Sequence, residues 1–200
     1  AAFAPEVAGV APRPAVQIHR SYLVVESDDG LMIIDQHALH ERILYEELAA
    51  RITQRQLESQ RLLLPEVFRV PPDRIGVLDT HAAMLARLGI ELTASGPGSV
   101  TLHAFPSLLE RADRSAFVRD LLDRLAEPGT RPDADTLLHE LLDMMACKAA
   151  VKAGDALTTD EIETLLARRE LAQRASNCPH GRPTTLHLSL RDLERQFKRR

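Results

Sequence analysis

The segment from Leu31 to Glu47 constrains the fold more than any other part of the chain. It opens with a short apolar run, Leu31 to Ile34, which follows the turn signal Asp28-Asp29-Gly30 and therefore predicts a buried strand. Asp35 ends that strand and is suited to cap a helix directly after it. The apolar face of this predicted helix consists of Leu39, Ile43, Leu44 and Leu48.

The same segment carries side chains that bind metal ions. His37 and Glu41 are one helical turn apart and share a face, and Asp35 lies just before them, so these three side chains can point at one ion. Glu46 follows His37 by nine residues and faces nearly the opposite way on an ideal helix. A capped helix without any metal explains the same residues.

A second metal-ligand sequence, Cys178-Pro179-His180, lies near the other end of the chain. Pro179 disfavours helix, and in an extended segment Cys178 and His180 point the same way. Thiolate and imidazole suit zinc, whereas carboxylates suit magnesium or manganese. If the fold brings the two segments together, their mixed ligands could hold a tightly bound zinc and a more weakly bound catalytic metal. Metal ions beside a phosphate would suit a nuclease.

Four motifs in order give the chain a family resemblance. The pattern of Asp35-Gln36-His37-Ala38 with Glu41 and Glu46 resembles the DQHA-x2-E-x4-E metal motif of MutL mismatch-repair endonucleases. Residues 146–153, ACKAAVKA, residues 178–183, CPHGRP, and residues 197–199, FKR, resemble three further motifs of that family. Together they cover about residues 16–200 and resemble the family's C-terminal domain; its ATPase half, which uses ATP, has no counterpart in this sequence.

The resemblance implies an α+β fold of two α/β subdomains. A dimerisation subdomain would carry the metal motifs, in residues 16–65 and 140–200, and an inserted regulatory subdomain would occupy residues 66–139. The implied function is DNA mismatch repair by a homodimer that nicks one strand of double-stranded DNA with Zn2+ and with Mn2+ or Mg2+. The alternative is a zinc-stabilised dimerisation and docking module, a matchmaker without nuclease activity.

Residue roles also follow from the resemblance. We expect Glu41, Cys178 and His180 at a zinc-like site, with Asp35 and His37 shared with or facing the second metal; Asp35, His37 and Glu41 are the expected catalytic residues. Gln36 is expected to support the ligands. Further candidates for support or phosphate contact are Glu46, Cys147, Lys148, Lys152, Arg182 and Arg199, although a buried thiol and solvated cations explain the same residues.

Residues 60–65 are a separate candidate site. The Q-x-x-L-x-P pattern formed by Gln60, Leu62, Leu63, Leu64 and Pro65 resembles the sliding-clamp-binding motif of the family. An ordinary strand or loop explains it equally well. The resemblance also implies that the mismatch-recognition protein MutS is a partner of the full-length protein.

The overall charge argues against a DNA-coating surface. The chain has 25 basic and 29 acidic residues and a net charge of −4, with basic residues gathered near its end. Something else is therefore expected to deliver DNA. The sequence contains no run long enough for a membrane span, and two cysteines beside this chemistry suit a cytoplasmic, nucleoid-associated protein. The start without Met suggests an excised piece of a longer chain.

The remaining pattern predicts a small number of elements. Residues 1–15 are a linker or a remnant. Val16 to Glu26 is a strand that forms a hairpin with Leu31 to Ile34. The middle has the order β-α-β-β-α: a strand at 67–70, a helix through 75–88, strands at 90–93 and 100–105, and a helix at 117–125. Helices at 137–153 and from Thr158 to about Leu171, a strand at 185–190 and a short terminal helix complete the chain.

Overall fold

The computed structural model describes residues 14–127, 133–152, 154–171 and 183–199. The strands in these ranges are β1 Ala15–Ile18, β2 Tyr22–Ser27, β3 Gly30–Asp35, β4 Ser59–Arg69, β5 Glu91–Gly96, β6 Ser99–Pro106 and β7 Thr185–Ser189. The helices are α1 Gln36–Gln54, α2 Val77–Thr80, α3 Ala82–Arg87, α4 Arg114–Leu125, α5 Ala134–Ala149, α6 Thr159–Leu171 and α7 Leu190–Gln196. The predicted α+β class is confirmed. No helix in the described part of the chain is long and apolar enough to span a membrane.

The chain divides into two compact units. The first comprises Ala1–Leu44 and Ala150–Arg200, and the second comprises Tyr45–Ala149. The second unit therefore interrupts the first in sequence. The predicted division into a dimerisation subdomain at 16–65 with 140–200 and a regulatory subdomain at 66–139 stays a prediction.

The first unit is built on an antiparallel sheet with the strand order β1-β2-β3-β7. One face of this sheet packs against α1 and α6 because its alternate residues are apolar. The core between them is formed by Leu23, Val25, Ile34, Leu39, Ile43, Ile162 and Leu165. The predicted hairpin between β2 and β3 is confirmed, with Ser27 paired to Gly30.

The expectation of one continuous strand from Val16 to Glu26 is wrong. The chain turns back between β1 and β2, where the Ser21 N–H donates to the Ile18 carbonyl over 3.1 Å. His19 and Arg20 form the turn with φ values of 52° and 50°. This turn matches the twist of a hairpin, but it lacks the glycine or asparagine that would have revealed it.

The second unit contains the antiparallel sheet β4-β6-β5. The strands predicted at 90–93 and 100–105 are confirmed as β5 and β6, which pair as a hairpin. Helix α4 is also confirmed, and its apolar face is buried. Two details differ. The strand predicted at 67–70 begins at Ser59, and the helix predicted through 75–88 is divided into α2 and α3. His81, at the break, has φ −110° and ψ 13°, outside the helical region.

Helix α5 ends earlier than the sequence predicts. Its last residue is Ala149, four positions before the expected end at residue 153. The Val151 N–H, which a longer helix would use internally, donates instead to the His40 side chain. Gly154 then has φ 101°, a conformation that suits glycine. Lys148 and Lys152 are four residues apart and would share one helix face if α5 ran to residue 153 as predicted. Lys152 lies outside the helix, so they do not.

Candidate metal centre

The junction between β3 and α1 is fixed by Asp35. One carboxylate oxygen of Asp35, Oδ1, accepts from the N–H groups of His37 and Ala38, both over 3.0 Å. These bonds satisfy donors that the first turn of a helix leaves unpaired. The predicted capping role is confirmed. Because both bonds use Oδ1, the cap does not need the second carboxylate oxygen.

The backbone of this junction is held from both sides. The Asp35 N–H donates to the Thr184 carbonyl over 2.9 Å, and the Gln36 N–H donates to the Ser21 carbonyl over 3.0 Å. Thr184 follows the CPHGRP sequence directly. The described chain thus returns to Asp35 four residues after His180.

His37 and Glu41 form the centre of the site. Their side-chain ligand atoms lie within 4.8 Å of each other. Glu41 is 4% exposed, which is rare for a carboxylate, and His37 is half-buried. An imidazole nitrogen and a carboxylate oxygen at this separation are suitable ligands for one divalent cation.

The Val151 carbonyl determines which nitrogen of His37 is available. His37 Nδ1 lies 2.7 Å from this oxygen. A carbonyl can only accept, so Nδ1 carries the proton and Nε2 carries the lone pair. Metal-binding histidines commonly make such a bond through the nitrogen that does not bind the metal.

His40 contacts the same residue from its other side. The Val151 N–H donates to His40 Nδ1 over 3.1 Å, so this nitrogen is unprotonated. Burial, and to a lesser degree the charges of Arg168 and His37, lowers the pKa of His40 to about 4. The ring is therefore neutral near pH 7. The local sequence alone predicts that His40 lies on the surface, whereas in the structure it is half-buried and bonded to Val151.

Gln36 holds the loop that carries Val151. Gln36 is fully buried, and its Nε2 lies 2.9 Å from the Arg20 carbonyl, 3.1 Å from that of Asp155 and 3.3 Å from that of Lys152. Its Oε1 accepts from Gln17 Nε2 over 2.7 Å. The side chain expected to support the ligands thus joins the β1–β2 hairpin to the loop that contacts His37.

Other predicted ligands and supporting residues lie outside the described residues or in the second unit. Cys178, His180 and Arg182 lie outside the described residues. Cys147 and Glu46 are both half-buried and belong to the second unit.

The basic candidates have other contacts or lie on the surface. Lys148 forms an ion pair with Asp120, with 2.6 Å between Nζ and Oδ2. Lys152 is exposed. The Arg199 guanidinium lies 5.9 Å from the centre of the Phe197 ring.

Residues 60–65 lie in the irregular half of β4. The pairing of β4 with β6 shifts register between Arg61 and Glu66. Leu63 is 101% exposed and Leu64 is 81% exposed, although both are large apolar side chains. Next to them is a cavity of about 270 Å³ whose lining includes Gln60 and Phe105. The segment therefore displays its apolar residues instead of burying them.

The second face of the first unit's sheet is also apolar and exposed. Register aligns Val16, Val24, Ile33 and Leu186 across the four strands, so these residues share a face. Val16 is 62% exposed and Leu186 is 60% exposed. Leu188 alternates with Leu186 along β7 and shares that face, whereas Leu190 starts α7 and is not part of the strand predicted at 185–190. An apolar sheet face of this kind is typical of an interaction surface.

The fold and the site together define an α+β chain with a histidine–carboxylate pair at a strand-to-helix junction. The family model described as "MutL C terminal dimerisation domain" matches residues 15–157. The DNA mismatch repair protein MutL of Chelativorans sp. (strain BNC1) is 39% identical over 184 residues, which is 92% of this chain and 30% of that protein. MutL of Phenylobacterium zucineum (strain HLK1) is 40% identical over the same shares.

A third relative extends the match. The DNA mismatch repair protein MutL of Rhizobium etli is 37% identical over 198 residues, 98% of this chain and 32% of that protein. The chain belongs to the MutL C-terminal dimerisation domain family. It spans about a third of the length of these relatives.

Proposed function

We propose that this chain is the dimerisation and endonuclease domain of a DNA mismatch-repair protein and that it nicks one strand of double-stranded DNA. The observation that carries the proposal is the junction at the start of α1. There, a buried Glu41 lies beside a His37 whose Nε2 is left as an electron-pair donor. A helix that only needed a cap would require Asp35 and neither of these side chains.

The donor set suits divalent cations. Glu41, with Cys178 and His180 of the second motif, would hold zinc, and Asp35 and His37 would be shared with or face a catalytic Mn2+ or Mg2+. When bound, such ions lower the pKa of water and stabilise the negative charge that develops at a phosphodiester. The protein's part is to keep the Nδ1–H of His37 hydrogen-bonded to the Val151 carbonyl, so that Nε2 remains available as a ligand.

We also propose that two copies of the chain associate through the exposed apolar face of the β1-β2-β3-β7 sheet. The family is described as a dimerisation domain. Burial of an apolar surface contributes roughly 25 cal/mol per Å², and four aligned strands supply a continuous one. The face lies on the opposite side of the sheet from α1, so a dimer formed there leaves the start of α1 accessible.

The segment Gln60–Pro65 is proposed to bind the replication sliding clamp. The exposure of Leu63 and Leu64 supports this, since both can enter an apolar groove of a partner. Clamp binding would bring DNA to a domain whose net charge is −4. ATP and the mismatch-recognition protein MutS would act through parts of the full-length protein beyond this chain, in the cytoplasm.

The test is nicking of supercoiled plasmid with Mn2+, with and without the clamp. We expect Asp35→Asn to abolish nicking without unfolding the domain, because asparagine caps helices as well as aspartate does. Glu41→Gln should behave in the same way. The matched control is Asp28→Asn, which alters an exposed carboxylate in the preceding turn and should cut like the wild-type protein.

The second candidate is a dimerisation and docking module without cutting activity, and the exposed sheet face favours it equally. Nicking that persists in Asp35→Asn would contradict the assigned site. If the wild-type chain does not nick DNA even when it is joined to the missing ATPase half and supplied with the clamp, the docking module is the correct function.

A further inference from the structure

Two histidines of α1 make opposite hydrogen bonds to one backbone residue. The Val151 carbonyl accepts from His37 Nδ1 over 2.7 Å, and the Val151 N–H donates to His40 Nδ1 over 3.1 Å. His37 is therefore protonated on Nδ1, whereas the neutral ring of His40 is protonated on Nε2. The two rings are in opposite tautomers.

Val151 needs an external anchor because of its position in the chain. It lies two residues after the end of α5, so its N–H has left the helical bonding pattern. The loop beyond it is held by Gln36, through Lys152 and Asp155, and by the bond from the Gly154 N–H to the Arg20 carbonyl, 2.7 Å long. These bonds position the neighbours of Val151, whereas the bond to His40 acts on Val151 itself.

We propose that His40 is a positioning residue for His37. By accepting from the Val151 N–H, His40 holds the Val151 carbonyl where it keeps the His37 proton on Nδ1, and the lone pair of His37 Nε2 is thereby directed to a divalent cation. The naming of a cation as the ligand rests on the proposed function. The effect of His40 on the tautomer of His37 does not depend on the proposed function.

A structural role alone would give different results. His40 also lines a cavity of about 260 Å³ with Leu157 and Leu165, so its ring contributes packing. If packing were its whole role, leucine would replace it well, and the protonation of His37 would not change. Asparagine offers the contrast, because its side-chain oxygen takes roughly the place of Nδ1 and accepts the same bond.

The experiment uses the metal-free protein with 15N-labelled histidine and long-range 1H–15N correlation spectra. In the wild-type protein we expect His37 to carry its proton on Nδ1 and His40 on Nε2, with a scalar coupling from the Val151 amide nitrogen to His40 Nδ1. In His40→Leu, His37 should become a mixture of both tautomers. His40→Asn should restore the wild-type pattern.

The second measurement is titration of each protein with zinc alone. Loss of a group that orients a metal-binding histidine typically lowers affinity about 10- to 100-fold. We expect a loss of that size in His40→Leu and an affinity close to wild type in His40→Asn. The control is His19→Asn, at an exposed turn position with φ 52° that asparagine tolerates, which should change neither readout.

The outcomes separate this inference from the proposed function. If His37 of His40→Leu keeps its Nδ1 proton and zinc binds as in the wild-type protein, the positioning role is refuted while the metal centre stands. If the tautomers change as expected but the wild-type protein binds no zinc, the metal centre is refuted instead. Should His40→Leu fail to fold, absence of the wild-type coupling to Val151 would itself overturn the inference.

Discussion

Replacement of Gln36 by methionine tests the hydrogen-bond network that supports the site. Methionine has a similar volume and is apolar, so it fills the space but can neither donate nor accept as an amide does. Gln36 is fully buried, and its amide contacts Gln17 and the carbonyls of Arg20, Asp155 and Lys152. The substitution therefore removes hydrogen bonds without opening a large cavity.

The expected cost follows from the partners that remain. The Arg20 carbonyl keeps the Gly154 N–H and the Asp155 carbonyl keeps Gln17 Nε2, so neither is left without a donor. Gln17 loses its acceptor on Gln36, and two donated bonds disappear. At about 1 kcal/mol for each net hydrogen bond, the free energy of unfolding should fall by about 2–3 kcal/mol.

Urea unfolding followed by far-ultraviolet circular dichroism measures this cost, and Gln36→Ala gives the comparison. Alanine adds a cavity to the lost bonds and should cost about 1–2 kcal/mol more than methionine. Gln54→Met, at an exposed position on the same helix, should change stability by less than about 0.5 kcal/mol. A Gln36→Met protein as stable as wild type would show that the network contributes nothing and refute the reasoning.

Leu186→Glu should convert the dimer to monomers in sedimentation experiments, because it places a charge in the apolar sheet face; an unchanged dimer would place the interface elsewhere. Gln60→Ala with Leu63→Ala should weaken binding to the clamp and leave dimerisation unchanged, and an unaltered affinity would remove the docking proposal. Because the pKa of His40 is lowered to about 4 from 6.5, the unfolded chain binds its proton first as the pH falls. In metal-free protein, the free energy of unfolding should therefore be about 2 kcal/mol lower at pH 5 than at pH 7.5 because of this residue. Urea unfolding at the two pH values measures this loss, and His40→Asn should remove it.

The elements that the sequence predicted well are those with local causes. The Asp35 cap, the hairpin of β2 and β3, and the start of α6 after Thr158, where Thr158 and Glu161 form a capping box, each depend on residues within a few positions of one another. In that capping box, the Thr158 N–H donates to Glu161 over 2.8 Å and the Glu161 N–H donates to Thr158 over 3.3 Å. The apolar spacing of α4 likewise determines which of its residues are buried.

The missed features depend on contacts between residues far apart in sequence. An alanine-rich segment such as ACKAAVKA favours helix throughout, yet Val151 bonds to His37 and His40, which lie more than a hundred positions earlier. No local pattern reveals that competition. The turn at His19 and Arg20 was missed for another reason, because the surrounding sheet imposes positive φ on residues that rarely adopt it.

The arrangement of the first unit makes its two proposed activities separable by mutation. The candidate ligands Asp35, His37 and Glu41 lie where α1 begins, on the face of the sheet that carries the core, whereas the proposed dimer surface is the opposite face. Asp35→Asn should therefore abolish nicking and keep the dimer, and Leu186→Glu should disrupt the dimer and keep zinc affinity in the isolated chain. Sedimentation and zinc titration on both variants test this directly. If Leu186→Glu also lost zinc, the centre would require the dimer, and the two faces of the sheet would not act independently.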